Sequence, residues 1–304
     1  MIPIKDFDQF SVYLRKLPSK KRVAVVCPND EHSLYAIKRC LKENIAVFIL
    51  ITTDDKDGKL KELQEEYKKD ITIEFVDTPD EAAKRAVYIV RVGEADILMK
   101  GLINTDNLLH AVLDKEHGIL PKGNVLTHVA VAQISSYKKL IFFSDAAVIP
   151  YPTLDQFKYM VKYNISTCRS FGVEQPKVAL LHCTEKISEK FPLTLAYQSL
   201  KEEASKGDFG NVIIDGPMDV KTACDQESGA IKGIVSPVVG NADILIFPDI
   251  EAGNTFYKTI TLFTNAKIAG ILCGTTIPVV VTSRGDESMT KYYSLCMACL
   301  AAIK

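Results

Sequence analysis

The sequence predicts an α/β protein built on a mainly parallel sheet. Short, continuously apolar runs alternate with charged segments of helical period along the chain, and small polar clusters recur where the apolar runs end. Runs without polar alternation suit strands covered on both faces.

The first strand is read over residues 22–27. A helix over 31–43 follows, with Leu34, Ile37 and Leu41 on one face. Residues 46–52 form a strand and 56–69 a charged helix marked by Leu60, Leu63 and Tyr67. After strand 71–76, Thr78-Pro79-Asp80-Glu81 supplies a cap, a first-turn proline and two acids to open the next helix. Strands are expected over 97–99, 129–132 and 140–144, with a helix over 105–113. After Ser144-Asp145 the rhythm restarts: Pro150 and Pro152 precede helix 154–168, then come strand 178–182, helix 193–206 and strand 212–215. Strand 244–247 leads into a helical stretch carrying Asn254 and Lys258. Strand 279–282 and a last helix over 287–303 complete the chain. The pattern predicts two α/β lobes, one of residues 1–145 plus 285–304 and one of residues 146–284.

Bulk properties narrow the function classes. A formal net charge of −1 with 47% apolar residues calls for neither nucleic acid nor an anionic membrane as partner. No apolar run approaches the roughly 18 residues of a membrane span, and the start lacks a secretory pattern. Eight cysteines in apolar contexts suit reduced thiols in a cytoplasmic interior. Cys296 and Cys299 form a C-x-x-C, but inside a helical stretch and without a second pair, so core packing is expected rather than zinc or redox chemistry. The dinucleotide, P-loop, zincin and hydrolase fingerprints are absent.

What remains is a set of clusters at expected strand ends, where open α/β sheets bind ligands: Cys27-Pro28-Asn29-Asp30, Lys100-Gly101, Ser144-Asp145, Asp215-Gly216-Pro217, Pro248-Asp249 and Ser283-Arg284-Gly285. In the last, a guanidinium beside a glycine and a helix start could hold a phosphate through parallel hydrogen bonds and free N–H groups. Asn254 and Lys258, four apart, share a helix face and could meet one anion. The plainer alternatives are a surface arginine, a solvated lysine, a Lys100 that snorkels from its strand, a His128 at a core edge, and Asp145 and Asp215 as helix caps.

As a set, Met99-Lys100-Gly101-Leu102-Ile103-Asn104-Thr105, Thr127-His128-Val129-Ala130, Ser144-Asp145-Ala146-Ala147, Asp215-Gly216-Pro217-Met218, the 240–249 segment with Asn254 and Lys258, and Pro278 through Ser283-Arg284-Gly285 resemble the phosphate acetyltransferase and phosphate butyryltransferase family. Thr290-Lys291-Tyr292-Tyr293-Ser294 brings the chain nearer the butyryl branch. The resemblance implies reversible transfer of a short acyl group, butyryl preferred, between CoA and inorganic phosphate. It also implies two α/β/α lobes of the isocitrate and isopropylmalate dehydrogenase type with a cleft between them, a homodimer or higher homo-oligomer, no metal, and no permanently bound cofactor, acyl-CoA and phosphate being substrates. By the same resemblance Ser283 and Arg284 are catalytic, and Lys100, Thr127, His128, Ser144, Asp145, Asp215, Asn254 and Lys258 bind substrate. Two positions depart from the family: Thr290 stands where acetyltransferases carry an aspartate taken as the base, and Ile149 where an asparagine is common. Acetyl transfer, a decarboxylating dehydrogenase on the same fold, and a non-catalytic CoA or acyl-phosphate binding protein are the alternatives.

Overall fold

A computed structural model describes residues 3–282 and 287–303. The chain divides into two compact units, one of Phe7–Leu126 with Ala269–Lys304 and the other of Met1–Asp6 with Thr127–Ile268.

The first unit opens with α1 (Asp8–Leu14), followed by β1 (Lys21–Val26), α2 (Glu31–Lys42), β2 (Ala46–Thr52), α3 (Lys59–Glu66), β3 (Ile71–Phe75), α4 (Pro79–Arg91), β4 (Ile97–Lys100) and α5 (Thr105–Val112). Its strands run parallel, with Val23 opposite both Phe48 and Ile97. Caps fix the helix starts: Asp30 accepts from the Ser33 amide to begin α2, and Thr78 accepts from the Glu81 amide with Pro79 at the first position of α4. The buried face of α2 carries Leu34, Ile37, Cys40 and Leu41, as its spacing predicts.

The second unit contains β5 (Thr127–Gln133), β6 (Leu140–Ser144), α6 (Leu154–Ser170), β7 (Lys177–Leu181), α7 (Pro192–Ser205), β8 (Ile213–Met218), α8 (Val220–Cys224), α9 (Gln226–Ile231), β9 (Ile244–Ile246) and α10 (Ile250–Phe263). Its strand order is β5-β6-β9-β7-β8, parallel except for the β5–β6 pair. Thr153 and Gln156 close a reciprocal capping box on α6, just after the two prolines.

The chain returns to the first unit within β10 (Lys267–Cys273), and β11 (Val279–Val280) and α11 (Ser288–Ala301) follow. The order there is β3-β2-β1-β4-β11-β10, with β11 parallel to β4 and antiparallel to β10. The sheet is thus mixed but mostly parallel. The seams fall at 126/127 and 268/269 rather than at the expected 145/146 and 284/285. The reason is strand pairing: β6 bonds β5 on one side and β9 on the other, which ties residues 127–144 to the strands that come after them.

Four elements have no counterpart in the sequence reading: α1, the short helices α8 and α9, and β10. Helix α1 is only seven residues long and holds through rings, Phe7 and Phe10 packing on Tyr293 with centroids 4.7 and 6.3 Å away. Strand β10 carries Gly270 in its middle, which weakens the strand signal, yet Ile268 to Leu272 are all buried. Strand β11 is shorter than expected and β8 longer. Cys296 and Cys299 are fully buried in α11, and Cys40 of α2 hydrogen-bonds Cys296, the packing role expected of the C-x-x-C.

Candidate active site

A cavity of about 770 Å³ lies in the first unit at the carboxyl end of β4. That volume is within the usual range of small-molecule sites. Its wall includes Asp30 and His32 from the start of α2, Asp80 from α4, Lys100 and Gly101 at the end of β4, Thr282 after β11, and Lys291 from α11. Thr282 is the last described residue before Ser283, so Ser283 and Arg284, the expected catalytic pair, lie outside the described residues.

Gly101 makes this end of the sheet possible. Its amide donates to the Val26 carbonyl at 2.8 Å, and a Cβ built on it would stand 2.3 Å from the Cys27 carbonyl oxygen, a backbone atom that cannot give way. Only glycine lets the β4–α5 turn cross β1 so closely. The preceding Lys100 is 5% exposed, and its Nζ donates to the Gly101 carbonyl at 3.3 Å.

Lys291 is the second buried ammonium of the cavity wall. Its Nζ donates to Asp30 Oδ1 at 2.8 Å and to Ser33 Oγ at 2.9 Å, tying α11 to the start of α2. Burial works to raise the Asp30 carboxyl, but hydrogen bonds from Lys291 and Ser33 outweigh it and hold the group below the usual carboxylate range. Its stabilising contribution is therefore complete above the unfolded carboxyl value of about 3.9 and is lost as the pH falls through the lower folded value. Asp30→Asn is expected to cost about 3 kcal/mol at pH 7, because it leaves a buried ammonium without its counter-charge. Chemical denaturation of both proteins from pH 7 to pH 3 checks this, since the difference should shrink below about pH 4 as the wild-type carboxyl becomes neutral.

His32 Nδ1 lies 2.8 Å from Ser288 Oγ, a second link between α2 and α11. Sequence reasoning passed over His32 and Lys291, which lie more than 250 positions apart along the chain and meet only through folding.

Four of the other expected ligand residues form a hydrogen-bonded cluster in the second unit. The Asp145 carboxylate accepts from Thr127 Oγ1 at 2.6 Å, from the His128 amide at 3.0 Å and from the Ala147 and Val148 amides at 2.7 and 2.8 Å. Ser144 Oγ donates to the His128 carbonyl at 2.6 Å and accepts from Asn164 Nδ2 at 2.7 Å. Thr127, His128, Ser144 and Asp145 are all buried, so this cluster holds β5 to the turn after β6. Asn254 joins it by donating from Nδ2 to the Ala146 carbonyl at 2.9 Å. Lys258, one turn further along α10, is exposed with its ammonium 4.9 Å from the Tyr257 ring centroid. Asp215 stands apart from them, in an ion pair with Lys201 at 2.6 Å. Burial pushes its carboxyl upward, but bonds from Lys201 and Ser236 keep it below its ordinary value. Ile149, where the family often has an asparagine, is buried at 5% exposure. Asp249 caps α10 by accepting from the Ala252 amide at 2.8 Å.

Residues 68–299 match the family described as Phosphate acetyl/butaryl transferase. The phosphate butyryltransferase of Clostridium acetobutylicum is 37% identical over 304 aligned residues, covering 98% of this chain and 99% of that protein. The phosphate acetyltransferase of Thermotoga maritima is 35% identical, covering 93% of this chain and 95% of that protein. Among solved structures, a branched-chain phosphotransacylase from Enterococcus faecalis V583 superposes with a TM-score of 0.81 at 30% identity over 93% of this chain and 99% of the other. A 4-hydroxythreonine-4-phosphate dehydrogenase from Klebsiella pneumoniae, at 11% identity and a TM-score of 0.53 over 93% of this chain and all of the other, shares the fold alone. With its full length matched by relatives above 30% identity, the chain belongs to the phosphate acetyl/butyryl transferase family.

Proposed function

We propose that the chain catalyses reversible transfer of a short-chain acyl group between CoA and inorganic phosphate, with butyryl preferred over acetyl. The observation that carries this reading is the cavity walled by two buried ammonium groups, Lys100 and Lys291, and by Thr282, the residue preceding Ser283-Arg284 in sequence. Two ammonium groups against one Asp30 carboxylate make this part of the wall favourable to an anion, and phosphate is one substrate of the reaction. The family membership and the relatives named for butyryl and acetyl transfer supply the reaction class.

Direct displacement asks little covalent chemistry of a protein. A phosphate oxygen attacks the thioester carbon, the C–S bond breaks, and the charge growing on the carbonyl oxygen needs fixed donors. In this reading Arg284, always charged and planar, holds the phosphate, Ser283 donates to the thioester oxygen or the leaving thiolate, and Lys100 adds charge from the cavity wall. Roles in substrate binding for Thr127, His128, Ser144, Asp145, Asp215, Asn254 and Lys258 belong to the same proposal, the buried ones acting by shaping backbone. No metal or bound cofactor takes part. The likeness to the dehydrogenase fold supports the isocitrate and isopropylmalate type of architecture. We place the protein in the cytoplasm as a homodimer or higher homo-oligomer. No described helix is long and apolar enough to cross a membrane.

The test is CoA release from acetyl-, propionyl-, butyryl- and valeryl-CoA with phosphate. Turnover with a maximum at butyryl is expected, each methylene of a fitted pocket being worth about 1 to 3 kcal/mol. No turnover with any of the four overturns the reading, and a tenfold preference for acetyl overturns the butyryl assignment.

A further inference from the structure

We infer that His32 is the acid–base group of this site: it takes the thiol proton when CoA attacks an acyl phosphate and returns it when the thiolate departs in the other direction. This rests on the acyl-transfer reading above.

A thiol must lose its proton to attack a carbonyl carbon, so the cavity needs a base within reach of sulfur. The side chains of its wall can be taken in turn. Lys100 and Lys291 are cationic donors. Asp30 is bonded to Lys291, Ser33 and the Ser33 amide, and its depressed carboxyl makes a poor proton acceptor for a thiol. Asp80 accepts from Asn107 Nδ2, which engages its carboxylate within the wall. Among the described residues of the wall His32 is the remaining base, and it shares that wall with Lys100 and Thr282.

The ring is held at one nitrogen. With Nδ1 as the protonated nitrogen donating to Ser288 Oγ at 2.8 Å, Nε2 keeps the lone pair that a general base needs. The inference takes this tautomer, and in it Ser288 is a positioning residue. In the CoA-consuming direction the S–H bond breaks and its proton goes to Nε2. The sulfur forms a bond to the acyl carbon, and the C–O bond to phosphate breaks with its electron pair leaving on inorganic phosphate. In the opposite direction phosphate oxygen forms the bond, C–S breaks, and the imidazolium returns its proton to the thiolate. The charged groups that share the described wall with the ring are Asp30 at the cap of α2, Asp80 on α4, Lys100 on β4 and Lys291 on α11. A histidine can therefore be exchanged for glutamine here without removing any of these pairs.

The experiment measures kcat/KM for CoA with butyryl phosphate from pH 5.5 to 9.5 in wild type, His32→Gln, His32→Ala and Ser288→Ala. The wild type should show an acid limb that the His32 variants lack. His32→Gln should lose at least about 100-fold at pH 7 together with that limb, and the gap should close toward pH 9.5 as the thiol ionises unaided. Imidazole added to His32→Ala should restore rate in proportion to its concentration. Ser288→Ala should lower kcat and displace the acid limb, with Ser288→Thr restoring both. Rates within twofold of wild type in both His32 variants, with an unchanged pH profile, overturn the inference while leaving acyl transfer standing. A wild type without turnover overturns both.

Discussion

Lys100→Met is expected to lower kcat/KM for phosphate by about 100- to 1,000-fold, the loss of about 2.7 to 4 kcal/mol seen when one charge-stabilising donor is removed. Methionine keeps the length and the apolar stem while deleting the charge. The ammonium is buried at the end of a fully buried strand, where taking a charge out of water costs several kcal/mol. In the acyl-transfer reading a bound phosphate adds to the contacts this ammonium already makes, such as its bond to the Gly101 carbonyl. Stability discriminates between a binding and a scaffold role: the fall in kcat/KM for phosphate should exceed what any shift in the thermal midpoint of the ligand-free variant accounts for. Parallel loss of melting temperature and activity would show a scaffold role and remove Lys100 from phosphate binding.

Gly253→Ala is expected to destabilise the protein by about 3 kcal/mol through overpacking against backbone. A Cβ at this position in α10 would stand 2.1 Å from the Asp145 carbonyl oxygen and 3.0 Å from its carbon. Alanine is the better helix former by about 1 kcal/mol, so propensity alone predicts the opposite sign. The clash wins because neither partner is a flexible side chain. To relieve it α10 must move off the turn after β6, stretching the Asn254–Ala146 hydrogen bond. A melting temperature lower by about 6 to 12 °C checks the prediction, and an unchanged or raised value contradicts it.

The strand and helix rhythm was legible because most strands are continuous apolar runs buried on both sides, and because Thr78 caps α4 as its sequence announces; Asp30 and Thr153 also cap their helices, which the structure adds. What could not be read were elements held by tertiary contact, α1 above all, and the seams, which strand pairing decides. Within the site, Lys100-Gly101 emerged from its position after a buried run. Asp145 illustrates the limit: a strand-end aspartate reads equally as a ligand contact or an acceptor for nearby amides, and here four donors from its own surroundings meet it. His32 carried no local signal, and Lys291 entered only as part of the 290–294 motif, with no role attached. One is a lone histidine after a cap and the other a lysine in an apolar helix, and only the packing of α11 on α2 brings them to one cavity.

The discontinuity of the first unit has a consequence for biosynthesis. Its β4 edge is covered by β11, and the buried face of α2 meets α11, yet both partners are made only after the whole of residues 127–268 has been translated. The strands β1 to β4 must wait on the ribosome with an unpaired edge and uncovered apolar surface, the features that invite association between nascent chains. The intervening unit, whose elements are consecutive in sequence apart from the first few residues, can close while that wait continues. The part of the molecule that holds the cavity is thus begun first and finished last.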